Sequence, residues 1–184
     1  MKKIFLSVLL FLLMPVCSFA ISLNELQNTP SKYIKVGTDQ NWDVYVVNDS
    51  TQLLRENPPY YTIGCKGYFI NYEYFLIQDF FMIVNYDYNR SARTIGETIG
   101  LRHINDEKIN REQIEKEAAL EIMSAGFGMK STTTLYGTYT FDGQLKIDGH
   151  EGYVVEKNKQ IELGSAGYHV ANYLFNKYYH ERFC

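Results

Sequence analysis

The stretch GYFINYEYFLIQDFFMIVNYDY, residues 67–88, decides the fold. Its first half alternates: Phe69, Asn71, Glu73, Phe75 and Ile77 fall on one side of an extended chain, and Tyr68, Ile70, Tyr72, Tyr74 and Leu76 on the other. Apolar and aromatic residues on both sides mark strands that lie inside a sheet or beneath a second layer. The stretch reads as two strands, 67–78 and 80–88, with no long turn between them to set how they pair.

The flanking segments follow the same logic. YIKV (33–36) and WDVYVV (42–47) are separated by GTDQN and read as a hairpin. LLRENPP (53–59) reads as a loop, because two prolines block helix and central strand alike. Asp142-Gly143 and Asp148-Gly149 each sit between apolar segments and read as hairpin turns.

Between residues 105 and 125 the period changes. Ile114, Ala118, Ile122 and Ala125 share one helical stripe, Asn110 and Gln113 fit a capping box, Glu112 and Lys116 are an i,i+4 pair, and Gly126 ends the helix. At the C-terminus Ser165 caps a last helix whose inner face is Val170, Ala171, Leu174, Phe175 and Tyr178. The expected architecture is α+β: an antiparallel sheet of about five to seven strands with one or two helices packed on it, one of them C-terminal.

Residues 1–20 carry a different signal. Lys2 and Lys3 precede an apolar run ending in Ser18-Phe19-Ala20, the pattern of a secretory signal peptide cut between Ala20 and Ile21. Cys17 raises lipidation as a competing reading, but the bulky Val16 before it does not suit that processing. Residues 21–184 then form a single α+β domain, and the formal charge of -3 becomes -5 once two lysines are lost (-3 minus 2). With no basic cluster, nucleic acid is not expected as a partner. In an oxidising compartment the two remaining cysteines, Cys65 and Cys184, are expected to form a disulfide.

Sites of chemistry are sparse. Gly96 and Gly100 in TIGETIG lack the Gly-Lys-Ser/Thr of a phosphate loop and read as a turn. His103, His150, His169 and His180 have no metal-ligand spacing and read as solvated, so neither metal nor cofactor is expected. Ser165 lacks the nucleophile-elbow pattern, and Asp79, Asp87 and Glu97 have no partner at catalytic spacing. Of the 16 tyrosines, Tyr86, Tyr88, Tyr136 and Tyr139 lie near strand ends, where such side chains serve contact surfaces. Tyr86, Asp87, Tyr88, Arg90 and Arg93 are the candidate contact surface.

Four segments, YIKVGTDQNWDVYVV, FMIVNYDYNRSA, YTFDGQLK and ELGSAGYHVANYLF, resemble the small exported Gram-negative proteins related to surface-adhesin protein E. In that family a strand enters a Tyr-Asp-Tyr-like segment, and a Pro-Gly-Ser-like cap starts the final helix. Members usually carry one cysteine after the Tyr-Asp-Tyr segment and one within the last helix, where Phe175 stands here; in this chain Cys65 comes before the segment and Cys184 after the helix. The resemblance implies a sheet with packed helices that acts outside the inner membrane and binds rather than catalyses, some members taking host matrix proteins or haem and self-associating.

The expected function is therefore an exported, non-enzymatic binding protein of the periplasm or outer-membrane surface. Its expected partner is a host matrix or envelope protein, with homo-oligomers and peripheral membrane association compatible. The alternatives are a periplasmic inhibitor or immunity-type protein blocking a cell-wall hydrolase, and a hydrolase acting on peptidoglycan through Cys65 and a histidine.

Overall fold

The computed structural model describes residues 21–104 and 110–184. The signal peptide with Ala20, the Cys17 alternative, residues 105–109 and the side chain of His150 lie outside the described residues. Seven strands form one antiparallel sheet: β1 (Tyr33–Thr38), β2 (Trp42–Val47), β3 (Gln52–Asn57), β4 (Tyr60–Asn71), β5 (Leu76–Asp87), β6 (Met129–Thr140) and β7 (Leu145–Gln160). The order is β1-β2-β4-β5-β6-β7, with β3 also on β4. β2 pairs with the second half of β4 and β3 with the first half, so the two lie end to end along one edge of that strand. The fold is α+β, with a C-terminal helix on the sheet.

The central stretch resolves into β4 and β5, joined by a four-residue turn inside what reads as one strand. The Asn71 side chain accepts the Tyr74 N–H at 3.0 Å, and Phe75 adopts φ 55°. An Asx-type bond shapes the turn without glycine, while aromatics at turn positions imitate a strand. Every residue of β4 then pairs with β5, from Tyr60 opposite Asp87 to Asn71 opposite Leu76.

Two readings of the flanks change for related reasons. Residues 53–57 belong to β3 rather than to a loop; Pro58 and Pro59 occupy the turn after it, where no ladder N–H is needed. Asp142-Gly143 is a turn, with Gly143 at φ 87° donating to Thr140 O. Asp148-Gly149 instead lies inside β7, at an irregularity where the register passes from Gly137–Asp148 to Leu135–Tyr153. Such irregularities, repeated along β7, blunt an edge strand against further pairing.

The helices cover the two faces unequally. α1 (Leu23–Asn28), which the sequence pattern did not announce, is capped by Ser22 and sinks Leu26 onto Ile70, Ile77, Tyr33 and Tyr45. α2 (Ala92–Arg102) replaces the turn expected at Gly96 and Gly100. Ser91 caps it, Ile95 and Ile99 are buried one turn apart, and both glycines face open space. α3 (Arg111–Ala125) has the expected capping box and the Gly126 cap, and Lys116 pairs with Glu112 at 2.8 Å. Its stripe, however, buries no residue fully.

α4 (Ala166–Tyr179) lies across the main face. Ser165 caps it, and Val170, Ala171, Leu174 and Phe175 are buried against Val44, Val46, Ile63, Cys65, Val84 and Tyr86. Burying a side chain such as Phe175 contributes about 1.5–3 kcal/mol of transfer free energy. Gly37 makes the close approach to β1 workable, because a Cβ there would stand 2.7 Å from His169 Cβ. After the αL residue His180 (φ 56°) the chain turns back and buries Phe183, 5.0 Å from the Phe175 ring and 5.2 Å from Tyr86.

Candidate functional site

Antiparallel register places rows of side chains across the main face. One row runs Cys65, Met82, Thr133, Glu156, and its neighbour Ile63, Val84, Ser131, Lys159. α4 roofs the β4 and β5 part of these rows. Beyond the helix the rows open into a cleft of about 470 Å³. Its floor comes from Phe80 and Met82 of β5 and from Ser131, Thr133 and Leu135 of β6, with Val44 and Phe69 at the far end. One wall is the start of α4, from Ser165 to Gly167 with Val170; the other is β7 from Val155 to Gln160, continued by Ile161 and Glu162.

Two polar features stand out in this mainly apolar space. Thr133 is 8% exposed, and its Oγ1 is the one buried side-chain oxygen or nitrogen among the described residues without a hydrogen-bond partner. A buried hydroxyl left unpaired is unfavourable by about 1–3 kcal/mol, and Thr133 lies in the lining of the cleft. The second feature is charge. Lys159 donates to Glu156 at 2.8 Å, and that bond raises its pKa; Glu162 stands beside the N-terminus of α4, where Ser165 N–H and Oγ both donate to its carbonyl.

The sequence points to this cleft only faintly. In STTT (131–134), Ser131 and Thr133 face inward while Thr132 faces outward, accepting the Asn158 N–H at 3.1 Å. Hydroxyl residues at inward positions of a central strand are the available signal. They are also ordinary strand formers, and so pass unnoticed.

The contact surface expected at residues 86–93 is mostly structural. Tyr86 is 2% exposed and donates to Ala171 O at 2.8 Å, so it ties β5 to α4 and offers no surface. Asp87 accepts from Asn89 N–H and shapes the turn. Tyr88 lies over Phe175 and donates to Glu181 at 2.9 Å. Arg90 donates to Gly126 O at 3.0 Å and pairs with Glu121, anchoring α3. Arg93 is the most open of the five, yet pairs with Glu97 and Glu181. These side chains spend their polar groups on joining the sheet, both middle helices and the C-terminal tail.

The expected Cys65–Cys184 bridge is not formed; both are free thiols. Cys65 is fully buried beneath α4, and burial pushes its pKa up to about 12. Cys184 is held on the helix side by Asn172, whose Oδ1 accepts its N–H at 3.1 Å and whose amide donates to its Sγ at 3.3 Å. His169 is not solvated as expected, because it packs 5.9 Å from Trp42 and over Gly37. His103 pairs with Glu117 at 2.8 Å.

Asp43 is a polar centre the sequence did not mark. It is 2% exposed and accepts from Tyr72 and Thr38 at 2.6 and 2.5 Å while pairing with Lys35 at 2.6 Å. Burial alone would raise its pKa, but those three partners outweigh it and hold the carboxylate below its usual range. With its acceptors engaged within the fold, Asp43 is a structural knot between β1, β2 and the central turn. No family model, curated protein or solved structure matches this chain.

Proposed function

We propose that this chain is an exported, non-enzymatic binding protein of the periplasm or outer-membrane surface, and that it holds its ligand in the cleft between α4 and β7. The observation that carries the reading is the cleft: a mainly apolar trough whose lining includes a buried hydroxyl lacking a partner. Its volume lies in the range of small-molecule sites. Export rests on the residue pattern of 1–20, and the resemblance to surface-adhesin protein E relatives points the same way. A hydrolase working through Cys65 is disfavoured, because a covered thiol with a pKa near 12 supplies almost no thiolate at neutral pH. A protein partner docking on residues 86–93 is disfavoured as well, since those side chains are engaged within the fold.

Native mass spectrometry of the chain expressed with residues 1–20 in a Gram-negative host tests both halves. The expected species begins at Ile21 and carries a small-molecule adduct that denaturation removes. Val155→Trp, which places a large ring on the cleft rim, is expected to lose the adduct. A species that keeps residues 1–20, or an adduct equally present in Val155→Trp, overturns the corresponding half.

A further inference from the structure

We propose that the cleft takes a neutral amphiphile: an elongated apolar body with one uncharged hydroxyl or carbonyl head that hydrogen-bonds Thr133 Oγ1. This rests on the binding reading above and adds the ligand's chemistry. The lining runs from Val44 on β2 across β4, β5 and β6 to Val155 on β7. Its open part, beyond α4, crosses β5 to β7, two strand spacings or roughly 10 Å, room for a short chain-like molecule. The charges argue against an ionic head. Glu156 and Lys159 neutralise each other at 2.8 Å. Glu162 also acts on Lys159, so the one lysine of the lining already faces two carboxylates. A carboxylate entering here would lose its hydration and gain no free cation, and an ammonium would gain no buried anion. Thr133 suits a neutral head because a hydroxyl both donates and accepts.

The test uses N-phenyl-1-naphthylamine, an uncharged fluorescent probe, with the full chain of residues 21–184. Saturable fluorescence enhancement is expected, lost in Val155→Trp. The probe should be displaced by 1-decanol at concentrations at least tenfold below those needed for decanoate or decyltrimethylammonium. Thr133→Val should weaken 1-decanol about tenfold, the effect of one hydrogen bond. Decanoate or the ammonium competing as well as 1-decanol overturns the neutral head while leaving the cleft a binding site. Unchanged 1-decanol affinity in Thr133→Val overturns the Thr133 contact. Absence of probe binding, or binding untouched by Val155→Trp, removes the cleft reading itself. The head-group series and Val155→Trp decide the matter even where Thr133→Val fails to fold.

Discussion

Thr133→Val is expected to make the ligand-free protein more stable. The substitution exchanges a hydroxyl for a methyl of nearly the same shape, in a strand where β-branched residues fit equally well. In most buried positions it would be harmful, because the hydroxyl would surrender a hydrogen bond. Here Oγ1 has no partner, so the exchange removes an unfavourable desolvation of about 1–3 kcal/mol and adds a buried methyl. A net gain of about 1–2 kcal/mol follows. Each kcal/mol corresponds to about 2–4 °C in Tm for a domain of this size, and at a urea m-value of about 2 kcal/mol/M to a midpoint shift of about 0.5 M. Equilibrium urea unfolding with unchanged m is the assay. Thr133→Ser, which keeps the hydroxyl and deletes the methyl, should lose about 1 kcal/mol and serves as the opposite control. A Thr133→Val protein less stable than the parent by 1 kcal/mol or more would mean the hydroxyl is satisfied in the free protein, and the case for a ligand at that atom would fall.

Other perturbations probe the remaining structure. Burial raises the Asp79 pKa and Lys66 only partly offsets it, so ionising Asp79 is less favourable in the fold than in the unfolded chain; stability is full below the ordinary carboxylate range and is lost as pH rises through the raised value. Asp79→Asn should therefore raise the urea midpoint at pH 7 and lose that advantage at acid pH, and a lower midpoint at pH 7 would contradict the assignment. Tyr86→Phe removes the buried bond to Ala171 O and should destabilise by about 1 kcal/mol; an unchanged midpoint would show that this bond does not tie β5 to α4. In a thiol-labelling time course without reductant, Cys184 should react in the native protein, and Cys65 only at the rate of unfolding. Failure of both to react in denaturant would show them bridged.

Much of the fold was legible because local chemistry and tertiary demand agreed. The capping box at Asn110 and Gln113, the Ser165 cap and the Asp142-Gly143 turn are decided within a few residues, and the structure has them where the residue types place them. The misreadings share a physical origin. At Asn71–Phe75 a side-chain bond replaces the glycine that usually announces a turn. In α2 two glycines lower helix propensity, but burial of Ile95 and Ile99 outweighs them. At Asp148-Gly149 pairing with β6 absorbs a turn signal into an irregular strand.

The sequence by itself determined the class of the fold: period-two patterning and two strong helix caps need no distant partner to be read. What only the tertiary structure decided is which side chains are buried and which lack a partner. Burial turned Tyr86 from a surface candidate into a core tie, and register set Thr133 between Met82 and Glu156 in the cleft walled by the start of α4. A hydroxyl's lack of a partner is a property of all its neighbours at once. Those neighbours come from strands and a helix far apart in the chain, so no local pattern of residues could express it.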